Sequence, residues 1–156
     1  LHIEGLSLSE VMENVISLLD ARAAAKKIKI QNRLQQNLPQ IKADRDRLIQ
    51  VLVNVLDNAV KFTPDGGLIT LDAEEKAENV VLTISDTGIG IPREEIQRLG
   101  ERFYRVDKTR SRELGGTGLG LSIVKHLMIA HGGKMEIESQ MGKGTKVLLF
   151  FPVTKG

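Results

Sequence analysis

Four polar residues are regularly spaced in the largely apolar stretch at 44–64, DRDRLIQVLVNVLDNAVKFTP. Gln50, Asn54, Asn58 and Lys61 follow one another at spacings of four, four and three, so they form one stripe on a helix. Apolar residues, Leu48 to Phe62, fill nearly all the positions between them, which predicts a helix buried nearly all round. An unpaired polar group taken out of water costs roughly 2–7 kcal/mol, so something polar has to meet the stripe. A solvated edge or a neighbouring loop would serve. A ligand would serve too: amide oxygens suit a hard cation, and a lysine suits the anion that accompanies it.

A second group is Asp86-Thr87-Gly88-Ile89-Gly90-Ile91-Pro92, at the end of an apolar run. Asp followed by glycines opens many ordinary turns. The same residues can hold a carboxylate at a strand end while the glycines admit a flat ligand. A carboxylate accepts from an exocyclic amine, which separates an amino-purine from an oxo-purine. A third group, Gly115-Gly116-Thr117-Gly118-Leu119-Gly120-Leu121, runs straight into a helix start. It is either a hinge or a phosphate cradle, since free N–H groups and the helix dipole favour anions there. It matches neither a Walker loop nor the Gly-x-Gly-x-x-Gly of a dinucleotide fold. Between these groups, Arg98, Arg102, Arg105, Lys108, Arg110 and Arg112 outnumber Glu101, Asp107 and Glu113. That surplus suits a polyphosphate, or a solvated basic loop. Gly142-Lys143-Gly144-Thr145 is by itself a glycine-rich turn.

Composition excludes several other functions. With 22 basic and 20 acidic residues the chain is not built for bulk nucleic acid, and one tyrosine and four phenylalanines make no base-stacking platform. Lack of cysteine removes thiolate metal sites and thiol nucleophiles. His2, His126 and His131 do not cluster as ligands. No apolar run approaches the roughly 18 residues of a membrane span, so direct membrane insertion is not expected.

The elements that must position these residues follow from periodicity. The 156 residues suit a single domain, 1–156. Residues 1–6 read as a tail or short edge strand. Ser7 or Ser9 caps a helix to about Lys27, with Leu8, Val11, Met12, Val15, Leu18, Leu19 and Arg22 along one side. Ile28–Gln35 and Ile41–Ala43 read as strands before the central helix, which starts at Asp44 and stops before Pro64. Strands at Leu68–Glu75 and Val80–Ser85 follow, then a short helix at 92–99 and a segment at 100–117 with few apolar anchors, a candidate lid. A second apolar helix, Gly118–Ala130, precedes strands Lys134–Ser139 and Lys143–Phe151. The four methionines fall at apolar positions as core filler. The fold class is α/β (α+β): a two-layer sandwich with three main helices on one face of a mixed, mainly antiparallel sheet of about five strands.

Taken in order, NVLDNAVKFTP (54–64), DTGIGIP (86–92), ERFYRVD (101–107), GGTGLGL (115–121) and GKGT (142–145) resemble one family closely. They look like the ATP-binding catalytic domain of bacterial two-component sensor histidine kinases. That domain belongs to the superfamily of gyrase, heat-shock chaperones and mismatch-repair ATPases, and the match covers about residues 5–153. The segment around the lid is most similar to kinases of the phosphate-regulon sensor type. The resemblance implies a Bergerat-type ATP-binding fold with residues 100–117 as the ATP lid and 1–6 as the remnant of a linker. It implies ATP and Mg²⁺ as cofactors. Asn58 would ligate the metal, and Lys61 and Arg105 would face the phosphates. Asp86 would meet the adenine amine, Gly88 and Gly90 would line the base, and Phe62, Ile91 and Tyr104 would belong to the same nucleotide site. Gly116, Thr117, Gly118, Leu119, Gly120, Leu121 and Thr145 would complete the nucleotide site.

By the same resemblance, the γ-phosphoryl group goes to a histidine on a helical acceptor hairpin of the parent kinase, and a response regulator receiver domain takes it next. No His-Glu or His-Asp pair occurs in this chain, so the acceptor is expected elsewhere. ATP-hydrolysing relatives carry Glu where this chain has Asn54, and an amide cannot take a proton at neutral pH. That favours a kinase over a hydrolase; a non-catalytic nucleotide-binding module is the other alternative. The isolated domain is expected to be a monomer from the cytoplasmic part of a membrane-anchored protein.

Overall fold

The computed structural model describes residues 1–90 and 119–154, and the statements below concern those residues. The expected helix at 92–99 and the lid at 100–117 lie outside them. The elements are β1 (Ile3–Leu6), α1 (Leu8–Ala25), β2 (Lys29–Asn32), β3 (Ile41–Asp44), α2 (Arg45–Phe62), β4 (Leu68–Lys76), β5 (Asn79–Asp86), α3 (Leu119–Ala130), β6 (Lys134–Gln140) and β7 (Gly144–Pro152).

Helix α2 lies between α1 and α3 and also touches β1, β3 and β5. Its apolar positions explain that place: Leu48, Val51, Leu52, Val55, Leu56, Ala59 and Val60 are all buried. Asp44 caps its start, accepting the N–H of Arg47 at 3.1 Å. The other Asp44 oxygen accepts the N–H of His2 at 2.8 Å. These two bonds, from His2 first and then Arg47, hold the carboxyl below its ordinary range. Thr63, extended because Pro64 follows, ends the helix.

The last four carbonyls of a helix have no partner within it. Here all four are met. Thr63 Oγ1 donates to Ala59 O at 2.6 Å. Lys26 Nζ, from the end of α1, donates to Val60 O at 2.7 Å and Lys61 O at 3.1 Å. The N–H of Ile89 donates to Phe62 O at 3.2 Å. The end of α2 is thereby tied to α1 and to the loop after β5.

The main sheet has the order β2-β4-β5-β7-β6. Only β2 and β4 pair in parallel; the other neighbours are antiparallel. Two register rows face the helices: Ala73, Leu82, Leu149 and Met135, then Leu71, Ile84, Val147 and Ile137. They join the helices in one core. The next row on that face is Ile69, Asp86, Thr145 and Ser139. The core therefore turns polar at one end of the sheet.

Of the two readings of residues 1–6, the short strand holds: β1 pairs antiparallel with β3 in a separate two-stranded sheet. Three expectations need correction. Leu18 is 67% exposed, because α1 buries only a narrow face, Leu8, Val11, Met12, Val15, Leu19 and Ala23. Met12 and Met128 are core residues, but Met141 is exposed in the β6–β7 turn. The strand expected at Ile28–Gln35 is shorter, Lys29–Asn32: Asn32 Oδ1 accepts the N–H of Leu34 at 3.0 Å, a turn that takes the chain away from β4.

Candidate nucleotide site

Asp86 is the last residue of β5 and faces the helix side, so its carboxyl is largely cut off from water. Its Oδ1 accepts the N–H of Gly88 at 2.8 Å and that of Thr145 at 3.2 Å. Burial pushes the carboxyl above its ordinary 3.8, and the bonds from Gly88 and Thr145 pull partly the other way. No hydrogen bond from a described residue reaches Oδ2. The Thr145 hydroxyl is 2.8 Å from Ser139 Oγ, which donates to Gly144 O at 3.0 Å. A cleft of about 450 Å³ opens at this end of the sheet; Asp86, Ser139 and Thr145 line it together with Ser85, Glu138 and Lys146 of the row facing away from the helices, and Asn58, Gly88 and Gly90 do not.

The Asp-Thr-Gly loop is held from three sides. Thr87 N–H donates to Leu68 O at 3.1 Å, and Thr87 Oγ1 accepts from Leu68 N at 3.0 Å. Ile89 bonds α2 through Phe62 O, and Ile89 O accepts from Gly142 N at 2.9 Å. Gly90 has φ +81, and a Cβ there would run into the backbone of Gln140. Gly144 has φ +97, and a Cβ there would strike the carbonyl of Asp86. These two glycines are required by backbone packing, beyond any demand of a flat ligand.

The polar stripe on α2 splits into two parts. Gln50 is an ordinary edge residue, accepting from Arg47 Nη1 at 3.2 Å. Asn54 and Asn58 are half-buried. Asn58 Nδ2 is shielded from solvent and finds no partner among the described residues. Such an orphan donor costs about 1–3 kcal/mol unless something arrives to accept from it. Lys61 Nζ sits 3.1 Å from Asp57 Oδ2, and Asp57 Oδ1 accepts from Arg22 Nη1 at 2.6 Å.

The structure thus brings Asp86, Gly88, Gly90 and Thr145 together, and ties them to the end of α2 that carries Asn58, Lys61 and Phe62. Leu121 is buried in α3. Leu119 and Gly120 belong to the first turn of α3. Ile91, Tyr104, Arg105, Gly116, Thr117 and Gly118 lie outside the described residues. Sequence patterns alone do not bring out Ser139 or Asp57. Asp57 has a local signal, four residues before Lys61; Ser139 is visible only through strand register.

The three histidines are placed as structural or surface residues. His126 and His2 are exposed. His131 Nε2 accepts the N–H of Asp44 at 3.2 Å, so its Nδ1–H is left to donate to Leu127 O at 2.7 Å.

Residues 43–155 match the family model described as histidine kinase-, DNA gyrase B- and HSP90-like ATPase, and the chain belongs to that family. It is 44% identical over 123 residues to sensor histidine kinase WalK of Bacillus subtilis, covering 75% of this chain and 20% of that protein. It is 42% identical over 148 residues to sensor histidine kinase YclK of the same organism, covering 94% of this chain and 31% of that protein. The catalytic domain of histidine kinase ThkA superposes with a TM-score of 0.85 at 26% identity, over 99% of this chain and 97% of that one. ThkA in complex with the response regulator protein TrrA matches at a TM-score of 0.79 and 25% identity, over 97% of this chain and 42% of that one. The chain spans about a fifth to a third of the length of these curated relatives. Nucleotide binding goes with the family. The fold is the one expected: three helices on one face of a five-stranded mixed sheet.

Proposed function

We propose that this domain binds Mg²⁺·ATP and transfers the γ-phosphoryl group to a histidine on an acceptor hairpin of its parent sensor kinase. The observation that carries this reading is Asp86. A half-buried carboxylate has one oxygen taken by two backbone donors and the other left for a ligand. An exocyclic amine is the donor that fits, and adenine has one. The raised tendency to hold a proton, caused by burial, falls when such a donor arrives.

The orphan amide of Asn58 fits the metal and phosphate end. Its oxygen suits Mg²⁺, a hard cation that keeps several waters, and its N–H₂ suits a phosphate oxygen. Mg²⁺ bound there supplies charge neutralisation between the phosphates. Lys61, three residues on, would add a cation to the same anion. Phosphoryl transfer depends chiefly on positioning and charge, so the protein's task is to hold and orient rather than to donate a nucleophile. Asn54 is no base, which suits transfer to a separate acceptor rather than to water. By the resemblance, Gly116, Gly118 and Gly120 with the N–H of Leu121 would hold the phosphate tail, Arg105 would face the phosphates, and Thr117 and Tyr104 would belong to the same nucleotide site.

The named ThkA–TrrA complex supports a response regulator as the next partner in the relay. Among the described residues no helix is long and apolar enough to cross a membrane. The parent protein is proposed to be membrane-anchored, with this domain on the cytoplasmic side. The test is transfer of label from [γ-³²P]ATP to a supplied acceptor hairpin with its histidine, in Mg²⁺. Label on that histidine is the expected result. An unlabelled hairpin with released inorganic phosphate would instead indicate a hydrolase.

A further inference from the structure

We propose that Asp57 is a positioning residue for nucleotide binding: it holds Lys61 aside in the empty domain and releases it to the phosphates. The proposal rests on the reading of Lys61 as a phosphate-facing residue. Asp57 immediately precedes Asn58, and its two oxygens hold two cations. Oδ2 meets Lys61 Nζ at 3.1 Å and Oδ1 accepts from Arg22 Nη1 at 2.6 Å. The carboxylate is only 18% exposed and the lysine 31%, so solvent does not erase their attraction.

Helix geometry gives Lys61 a choice. At 3.6 residues per turn, position 61 lies about 40° round the axis from position 57 and about 60° from position 58, between the two. An ammonium on a flexible four-carbon stem reaches either side. In this structure it lies on the Asp57 side. On the other side the Asn58 amide nitrogen has no partner among the described residues. A triphosphate beside Asn58 carries more negative charge than one carboxylate that is already shared with Arg22. Lys61 therefore changes partner when the triphosphate arrives, and Asp57 is left with Arg22 alone. Arg22 sets how hard Asp57 holds the lysine, which brings α1 into nucleotide affinity without contact with the ligand.

The test is calorimetric titration of the 156-residue chain and its variants with Mg²⁺·ATP, ADP and adenosine. Asp57→Asn frees Lys61, so ATP binds about two- to fivefold more tightly, the range of a partly exposed ion pair. ADP gains less, and adenosine, with no phosphate, is unchanged. Arg22→Gln leaves Asp57 with one cation, so ATP binds more weakly. Both substitutions break the same bridge between α1 and α2, so a purely structural bridge would shift affinity in one direction for both. In the Lys61→Met background the gain from Asp57→Asn disappears. Shifts of the same sign for Asp57→Asn and Arg22→Gln, a gain for adenosine equal to that for ATP, or a gain that persists with Lys61 replaced would each overturn the proposal. Lys61→Met with wild-type ATP affinity is a different outcome: it removes the phosphate role of Lys61, and the proposal with it.

Discussion

The N–H of Thr145 donates to Asp86 Oδ1 at 3.2 Å across 59 positions of sequence. Asp86 ends β5 and Thr145 is the second residue of β7, and the two face each other in register. The bond has a consequence for recognition. With Gly88 on the same oxygen, the carboxylate cannot rotate to present either oxygen at will. A base amine bound as proposed would meet one fixed oxygen, Oδ2.

Asp86→Asn is expected to lose most ATP affinity. The charged hydrogen bond is worth about 1.5–3 kcal/mol, or about one to two powers of ten in Kd. GTP should bind far more weakly than ATP to the unchanged protein, since guanine offers a carbonyl where Asp86 needs a donor. Calorimetry with both nucleotides checks this; equal affinities would remove Asp86 from base recognition.

Acid should act in opposite senses on binding and on stability. Burial raises the Asp86 pKa above the 3.8 of a free carboxyl. As pH falls through that raised value, Asp86 takes a proton and ATP affinity drops, while ordinary carboxylates are still charged. In the empty domain the sign reverses. The folded state holds a proton that the unfolded state has already released, so the stability from Asp86 is full below 3.8 and lost as pH rises through the folded pKa. Titrations of ATP affinity and of urea midpoints against pH, with Asp86→Asn as control, should show both trends vanish in the variant.

Asn58→Ala should separate function from folding. The residue is half-buried and its amide nitrogen has no partner to lose among the described residues. Deleting an orphan donor removes a cost of about 1–3 kcal/mol, offset in part by lost packing. Tm of the empty domain should therefore hold or rise, while Mg²⁺-dependent ATP binding collapses. A large fall in Tm would mean that the stripe is structural at this position.

Lys26→Met keeps most of the aliphatic stem of Lys26 and removes the two bonds to Val60 O and Lys61 O. Hydrogen bonds from a charged donor are worth about 1.5–3 kcal/mol each in the general case. Lys26 is only half-buried, so water can replace it in part, and a loss of about 1–2 kcal/mol in total is expected. Denaturant unfolding measures it. An unchanged midpoint would show that the end of α2 is capped well enough by Thr63 and Ile89.

Much of this site is legible in local sequence patterns. Spacing of four, four and three along α2 is local information, and it marks Asn58 and Lys61 as part of a polar stripe on a buried helix. The Asp-Thr-Gly loop is equally plain, since an apolar strand that ends in Asp and glycine is a local pattern. Thr145 is named by resemblance, but its bond to Asp86 is not legible, because register between distant strands leaves no trace in either strand alone. The same holds for Arg22, which periodicity puts on the apolar side of α1 and which in fact pairs with Asp57 on α2. Leu18 departs from expectation for a related reason: how wide a face a helix buries depends on how many neighbours it has. The role of Gly90 and Gly144 is only half legible, since the backbone that crowds each comes from a different part of the chain.

The parallel pairing of β2 with β4 also dictates an order of assembly. Lys29 lies opposite Leu68, and β3 and all of α2 come between them in the chain. Strands β4 and β5 need only the two residues Ala77 and Glu78 to fold back on each other, and hairpins close in about 1–10 μs. β2 reaches its partner only by closing the long loop that holds β3 and α2, a slower event than closing a hairpin. It has four residues and one neighbour in the sheet. Hydrogen exchange should then find the amides of β2 released in the smallest opening of the sheet, well before those of β5, which is paired on both sides. The strand that joins last is the first to let go.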